Sequence, residues 1–144
     1  MAELPRTGKP PHAARPQAVE RLPPGHGDLT RLRSAVSQDE ADESGLAGIT
    51  SDAFVVRHAG EVISAAGFRR WPYDIAHMSV LTTAPARGNG LATTTACAAV
   101  KEALAQDLLP QWRARPASSR RVSARLGFQE LGKQLSVRLV DTLP

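Results

Sequence analysis

Several features that would mark an unusual class of protein are scarce in this 144-residue chain. A single cysteine, Cys97, allows no disulfide within the chain, so a reducing, cytoplasmic compartment is the expectation. No apolar run approaches the ~20 residues that cross a bilayer, and no apolar segment follows the first basic residues as a secretory signal requires. We therefore expect no membrane contact, and nothing in the sequence predicts a metal site.

Aromatic residues make up only 4% of the chain, and none lies among the arginines between residues 113 and 125. The charge is uneven, because residues 111–144 hold seven bases against two acids, whereas residues 28–60 hold six acids against three arginines. A basic region suits a phosphorylated cofactor or a nucleic acid, or it is simply a solvated arginine-rich surface. Modules that bind single-stranded nucleic acid usually place aromatic rings between their basic residues, so we predict no nucleic-acid partner.

The overall composition is that of one ordinary globular domain, with 42% hydrophobic and 22% charged residues. Residues 1–27 contain six prolines and three glycines and show no hydrophobic periodicity. This stretch is predicted to be a proline-rich disordered arm, and the folded domain is expected over residues 28–144.

Hydrophobic periodicity predicts one helix near residues 29–38 and then an antiparallel meander of three strands, at 53–57, 62–68 and 75–82. The remaining elements, in order, are a long helix, a strand, a short helix and a hairpin: 91–107, 109–114, 118–126 and 128–140. The passage from the third strand through the long helix requires a right-handed parallel crossover. The predicted fold is a mixed α/β (α+β) sheet with helices on its faces.

The most informative segment is Arg87-Gly88-Asn89-Gly90-Leu91-Ala92, where a buried strand passes through a glycine-rich loop into the long helix. The first backbone N–H groups of a helix have no partners within the helix, and the helix dipole adds partial positive charge there. Gly88 and Gly90 would let the backbone approach an anion closely. The loop is therefore predicted to hold a pyrophosphate.

Three phosphate-binding patterns can be compared at this loop. A P-loop requires Lys and then Ser or Thr after its second glycine, but Leu91 and Ala92 stand there. The dinucleotide fingerprint requires Gly or Ala at the position of Thr93. The third pattern, Arg or Gln, two residues, Gly, one residue, then Gly or Ala, is satisfied by Arg87, Gly90 and Ala92. A plain strand–helix connector is the other interpretation of the segment.

With this loop, the long helix after it and the triplet Leu126-Gly127-Phe128, the chain resembles the GNAT superfamily of acetyltransferases over roughly residues 28–140. The resemblance implies a mostly antiparallel sheet in which one parallel pair of strands, 75–82 and 109–114, splays apart. It also implies transfer of an acetyl group from acetyl-CoA to an unidentified amine by direct attack in a ternary complex. The cofactor-binding residues that it implies are Val80, Leu81, Thr82, Arg87, Gly88, Asn89, Gly90, Leu91, Ala92, Thr93 and Ser118.

The catalytic groups that the resemblance implies are His77, Tyr73 and Ser123. Ser123 stands where many members of the superfamily have a tyrosine that protonates the thiolate, and a serine is a weaker donor. An acidic base that is common on the central strand would fall near Ala76, which cannot act as a base. His77 is next to Ala76 and should therefore point to the opposite face of the sheet. Its role is either that of a general base or a hydrogen-bonded structural one. Trp71 and Tyr73 are candidates to line an acceptor pocket.

The start of the chain departs from the superfamily, which opens with a strand and two helices. Only one helix is predicted here, and the first strand is expected to be missing. A homodimer that covers the exposed sheet edge is then expected. The shortened start and the absent tyrosine leave a second function open, that of a catalytically weak or inactive acyl-CoA-binding module.

Overall fold

A computed structural model describes residues 18–113, 128–131 and 134–137, which form one mixed sheet with helices on both faces. Seven strands are arranged in the order β1-β2-β3-β4-β5-β7-β6. The bounds of the strands are Glu20–Leu22 (β1), Ala53–His58 (β2), Glu61–Trp71 (β3), Ile75–Thr82 (β4), Leu109–Arg113 (β5), Phe128–Leu131 (β6) and Gln134–Val137 (β7). Three α-helices are described, at Gly27–Ser34 (α1), Gln38–Ser44 (α2) and Leu91–Ala105 (α3).

The expectation that the first strand is missing is wrong, because β1 pairs antiparallel with β2, with Glu20 opposite Val55 and Leu22 opposite Ala53. Leu22 is buried in the core. Three residues after a proline-rich stretch carry too short a pattern to be recognised, and only the neighbouring strand makes them a strand. The dimer was expected because the edge of β2 would be bare, and β1 covers part of that edge.

The expectation of one helix before β2 is also wrong, since α1 and α2 both precede it. At the start of α2 the Ser37 hydroxyl accepts from the Glu40 N–H at 3.1 Å, and the Glu40 carboxylate accepts from the Ser37 N–H at 3.3 Å. This is a capping box, and its Ser-x-x-Glu spacing was present in a stretch interpreted only as acidic. Gly45, with φ of 73°, ends the helix.

The predicted meander is confirmed as β2, β3 and β4, which pair antiparallel in chain order. Strand β3 continues to Trp71, three residues beyond its predicted end. The tight turn before β4 then places Tyr73 and Asp74 at positive φ, 67° and 59°. The β4 residues alternate between two faces, so Ala76 and His77 point in opposite directions as predicted.

Helix α3 packs on one face of the sheet through small side chains. Its buried residues are Leu91, Thr95, Ala96, Ala99, Val100 and Ala103. Alanines allow the helix to lie close to the sheet, where Phe54, Met78 and Trp112 complete the core. Ala92 and Leu104 are apolar residues of the same helix but are only half-buried. Cys97 is also half-buried and packs at the border of the core.

A second core on the opposite face lies under α1 and the segment after α2. Its buried members include Leu22, Leu29, Leu32, Leu46, Ile49, Val55, Val62 and Leu81. The sheet is therefore the middle of three layers, with α3 on one side and α1 and α2 on the other.

The parallel crossover from β4 through α3 to β5 is confirmed, and so is the predicted splay. Strands β4 and β5 pair only at Ile75–Leu109, Ala76–Pro110 and His77–Gln111. On its other edge β5 pairs with β7, where Trp112 lies opposite Leu135. Residues 78–82 of β4 pair with β3, and no other described strand pairs with them. The short helix predicted at 118–126 lies outside the described residues.

No helix in the described part of the chain is long and apolar enough to cross a membrane. The same residues contain no group of three or more His, Cys, Asp or Glu side chains placed to hold a metal ion.

Arg57 on β2 connects the N-terminal elements to the sheet. Its guanidinium donates to Glu20 of β1 at 2.9 Å, to Asp28 of α1 at 2.8 Å and to the carbonyl of Gly60 at 2.9 Å. The hydrogen bond from Arg57 lowers the pKa of the Asp28 carboxyl below its ordinary value. One side chain thus fixes β1, α1 and the β2–β3 turn together.

We predict that Arg57→Gln lowers the melting temperature by roughly 5 °C at pH 7, because three charge-assisted contacts are lost. A carboxyl whose pKa is lowered by folding stabilises the protein above its unfolded pKa of about 3.9, and that contribution disappears as the pH falls through the lowered value. The difference between wild type and variant should therefore narrow in acid. Arg31→Gln is the control, since Arg31 is exposed and lies 3.9 Å from Glu61. Equal shifts in the two variants would contradict the prediction.

Candidate functional site

The glycine-rich loop ends in a helix terminus that no side chain caps. Gly90 is the N-cap of α3, and no side-chain hydrogen bond caps the backbone N–H groups at this end of the helix. Gly88 and Gly90 have φ of 87° and 78°, a conformation that other residues adopt only with strain. A Cβ at either position would meet no atom within 4 Å, so the glycines shape the backbone, and the space in front of the loop is open.

The hydroxyls of the first turn of α3 have different surroundings. The Thr93 Oγ1 atom is buried and has no hydrogen-bond partner in the described part of the chain. In contrast, the Thr94 hydroxyl donates to the carbonyl of Gly90 at 3.0 Å and so remains within its own helix. A buried hydroxyl without a partner beside free helix N–H groups is a place where a bound ligand or water is expected.

The side chain of Arg87 is bound to neighbouring elements, although 44% of it remains exposed. Its Nε donates to the carbonyl oxygen of Thr82 at 3.0 Å, and its Nη2 donates to the carboxylate of Glu40 at 2.8 Å. That hydrogen bond lowers the pKa of the Glu40 carboxyl below its usual value. Arg87 thus ties the loop to the end of β4 and to α2. In this structure the part of the motif that faces the open space is its backbone.

A buried group of hydroxyls beneath the loop was missed by the sequence analysis. The hydroxyls of Ser64 and Thr82 lie 2.8 Å apart, and those of Ser64 and Thr95 lie 3.2 Å apart. Thr95 also donates to the carbonyl of Leu91 at 3.1 Å. All three side chains are buried, so this group of hydroxyls fixes the first turn of α3 against β3 and β4. The signal in the sequence was a single polar residue within, or at the end of, an otherwise apolar segment.

The predicted cofactor residues on β4 occupy both faces of the strand. Val80 and Thr82 lie on the α3 side, where Val80 is half-buried, and Leu81 is buried on the α1 side. Among the described residues, the β4 edge that faces β5 has no partner beyond His77, so the backbone groups on that edge need a ligand or water. Leu91 is buried beneath the loop with Val56 and Ala86, while Ala92 is half-buried. The Asn89 side chain donates to the Ala86 carbonyl at 3.3 Å.

A cavity of about 750 Å³ lies on the other face of the sheet, between α1, α2 and strands β3 and β4. Its volume is typical of sites for small molecules. Arg33, Asp42 and Arg69 are its charged lining residues, and Trp71 and His77 are its rings. We call it the α2 cavity.

His77 lies in the α2 cavity at the last residue of β4 that pairs with β5. Its ring stacks on Trp71, with centroids 4.3 Å apart and planes at 6°. Tyr73 does not join them, because it is 94% exposed in the turn before β4. The predicted site residues Ser118 and Ser123 lie outside the described residues.

A family model for the GNAT acetyltransferases matches residues 53–134, which is more than half of the chain. Comparison with curated proteins gives no match.

Solved structures of low sequence identity share the fold. A Klebsiella pneumoniae protein provisionally described as an acyl-CoA N-acyltransferase has a TM-score of 0.65 at 17% identity, covering 86% of this chain and 98% of that one. A Streptococcus pneumoniae acetyltransferase of the GNAT family has a TM-score of 0.61 at 10% identity, covering 84% and 96%. A ribosomal-protein-alanine N-acetyltransferase from Brucella melitensis has a TM-score of 0.56 at 20% identity, covering 80% and 86%.

We predict that Thr95→Val lowers the free energy of unfolding by about 1–2 kcal/mol, since a residue of the same shape leaves the Ser64 hydroxyl with one buried partner fewer. Thr94→Val is the matched control, because it removes a hydroxyl that bonds only within its own helix turn, and its effect should stay within about 0.5 kcal/mol. Urea unfolding of the two variants measures both values. Similar losses would show that the buried hydroxyls contribute nothing particular to stability.

Proposed function

Since the chain belongs to the GNAT acetyltransferase family, we propose that it is an N-acetyltransferase that transfers an acetyl group from acetyl-CoA to an amine. The observation that carries this proposal is the uncapped N-terminus of α3, which opens onto free space beside the splayed strands. An anion placed there gains hydrogen bonds from unpaired N–H groups and the field of a 15-residue helix.

The groups left without partners fit the parts of acetyl-CoA. The pyrophosphate would lie against the backbone of Gly88 to Ala92, with the buried Thr93 hydroxyl close to it. The unpaired edge of β4 after His77 suits an extended chain with amide groups, which is the chemistry of pantetheine. Arg87 positions the loop through Thr82 and Glu40 without contacting the phosphates itself.

The proposed reaction is a direct attack of the amine nitrogen on the thioester carbon. A C–N bond forms, the C–S bond breaks, and the products are an acetamide and the thiol of coenzyme A. The nitrogen gives up a proton to a base, and the sulfur takes up a proton when it leaves. A main-chain N–H of β4 near Val80 to Thr82 is the proposed donor to the oxyanion that forms between these steps.

His77 is the proposed base. Among the residues that line the α2 cavity, His77 carries the side chain that in general both accepts and gives up a proton in the physiological range. His77 lines the cavity and is the last residue of β4 that pairs with β5, which supports a ring within reach of a thioester held at the splay. Tyr73 is not part of the proposed site, because its side chain is exposed to solvent. An acyl-CoA-binding module without turnover is the competing function.

We predict that Gly90→Asp abolishes binding of acetyl-CoA, with a loss of at least about 100-fold, because a carboxylate would face the pyrophosphate. Gly90→Asn is the matched control, since Asn has the same size and tolerates the left-handed conformation but carries no charge. Its loss of affinity should be much smaller. Calorimetric titration with acetyl-CoA measures both. Unchanged affinity in Gly90→Asp would exclude the proposed pyrophosphate site.

We predict that His77→Phe lowers kcat/KM by roughly 100-fold while the melting temperature stays close to that of wild type, because a ring that stacks on Trp71 is kept and the proton acceptor is lost. The acidic limb that a histidine base gives to the pH–rate profile of the wild type should disappear. Release of the coenzyme A thiol measures the rates. A profile that keeps this limb in the variant would show that His77 has a structural role only, and cofactor binding without thiol release from any amine would favour the binding module.

A further inference from the structure

We propose that the amine accepted by this protein carries a second, anionic group, which Arg69 binds in the α2 cavity with help from Arg33. This inference rests on the proposed function and names the class of acceptor: small amino acids or other amines that bear a carboxylate, phosphate or phosphonate. The observation that carries it is a guanidinium without an ion-pair partner that lines the same cavity as His77.

The strand register brings Arg69 to His77. In the antiparallel pairing of β3 with β4, Arg69 lies directly opposite His77, and Gly67 lies opposite Ser79. Side chains of directly opposed residues lie on the same face, with Cβ atoms about 4.5–5.5 Å apart. The neighbouring step of the sheet is covered, since Ile49 packs over Gly67 and Gly45 lies over Ser79. The adjacent positions of Arg69 and His77 allow a short acceptor to place its amine at His77 and its anionic group at Arg69 at the same time.

The charge of Arg69 is not compensated inside the described part of the protein. No carboxylate of those residues lies within ion-pair distance of its guanidinium, whereas Arg21, Arg57 and Arg87 each hold an acid at 3.1 Å or less. Even Arg70, the next residue, has Asp74 at 3.7 Å. Arg69 is thus a charged group whose donors are available to a ligand.

The other charges of the α2 cavity also favour an anion. Arg33 uses one N–H group on the Thr30 hydroxyl, at 3.3 Å, and keeps further donors. The single lining carboxylate, Asp42, accepts from the Gln38 side chain at 2.8 Å. Two guanidinium groups therefore stand against one carboxylate in a concave site, and guanidinium binds carboxylate and phosphate groups through paired hydrogen bonds.

The wall opposite Arg69 is made of backbone without side chains. The Nη1 atom of Arg69 lies 3.5 Å from the place that a Cβ on Gly48 would occupy. Gly45, which ends α2, lies so close to Ser79 that a Cβ there would be 2.9 Å from the Ser79 hydroxyl. Because Gly48 carries no side chain, the guanidinium of Arg69, which is an exposed residue, stays accessible on this side of the cavity.

The experiment compares matched amines that differ only in charge: an amino acid with its carboxamide, and an aminoalkylphosphonate with its diethyl ester. We expect kcat/KM for the anionic member to exceed that for the neutral member by at least tenfold in wild type. Arg69→Gln should remove this preference, mainly through KM, and Arg33→Gln should reduce it. The pair of amines in which the anionic member is preferred more strongly shows whether the cavity binds a carboxylate or a phosphonate better.

Arg70→Gln is the matched control, because Arg70 follows Arg69 in β3, points to the opposite face and is 56% exposed. This variant should keep the preference for the anionic amine.

Titration with coenzyme A comes first, since a protein that does not bind it refutes the proposed function. With coenzyme A bound, equal use of charged and neutral amines overturns only the present inference. If no amine reacts, calorimetric binding of the acids to the coenzyme A complex decides: binding that Arg69→Gln abolishes supports the inference, and no binding overturns it.

Discussion

The architecture depends on the separation of β4 from β5 after His77. Up to that residue the two strands share a parallel ladder, and beyond it β4 has a neighbour on one side only within the residues that the structure describes. A strand edge inside a sheet leaves N–H and C=O groups that must find other partners. The same separation brings the end of α3, the bare strand edge and the α2 cavity to one region, so a ligand that bridges them contacts both faces of the sheet.

Two sets of polar contacts hold the end of β4 in place, one on each side of the sheet. On the α3 side, the buried hydroxyls of Ser64, Thr82 and Thr95 fix the first turn of the helix. On the α2 side, Arg87 connects the Thr82 carbonyl with Glu40, whose carboxylate also belongs to the capping box of α2. The loop between them is therefore held in shape by neighbours, while no side chain of the described residues caps the first N–H groups of α3. Preorganisation of this kind lowers the entropy that binding costs.

The two faces of the sheet differ in chemistry. The α3 face offers small apolar side chains, backbone donors and one buried hydroxyl without a partner, which suits a long and flexible anionic molecule. The α1–α2 face offers a concave site with arginines and stacked rings, which suits a small charged molecule. His77 lines the cavity on the α1–α2 face and is also the last residue of β4 that pairs with β5.

The amino-acid sequence by itself determined the meander, the parallel crossover, the long helix and the glycine loop, because each depends on local periodicity or on glycines at a strand–helix junction. The sequence did not reveal β1, whose three residues become a strand only beside β2, and the capping box of α2 went unnoticed among acidic residues. Tertiary structure alone decided where Arg87 points, which hydroxyls meet beneath the loop, and that Arg69 stands opposite His77. The physical reason is that these relations join residues distant in the chain, and register and packing, which no local pattern encodes, bring them together.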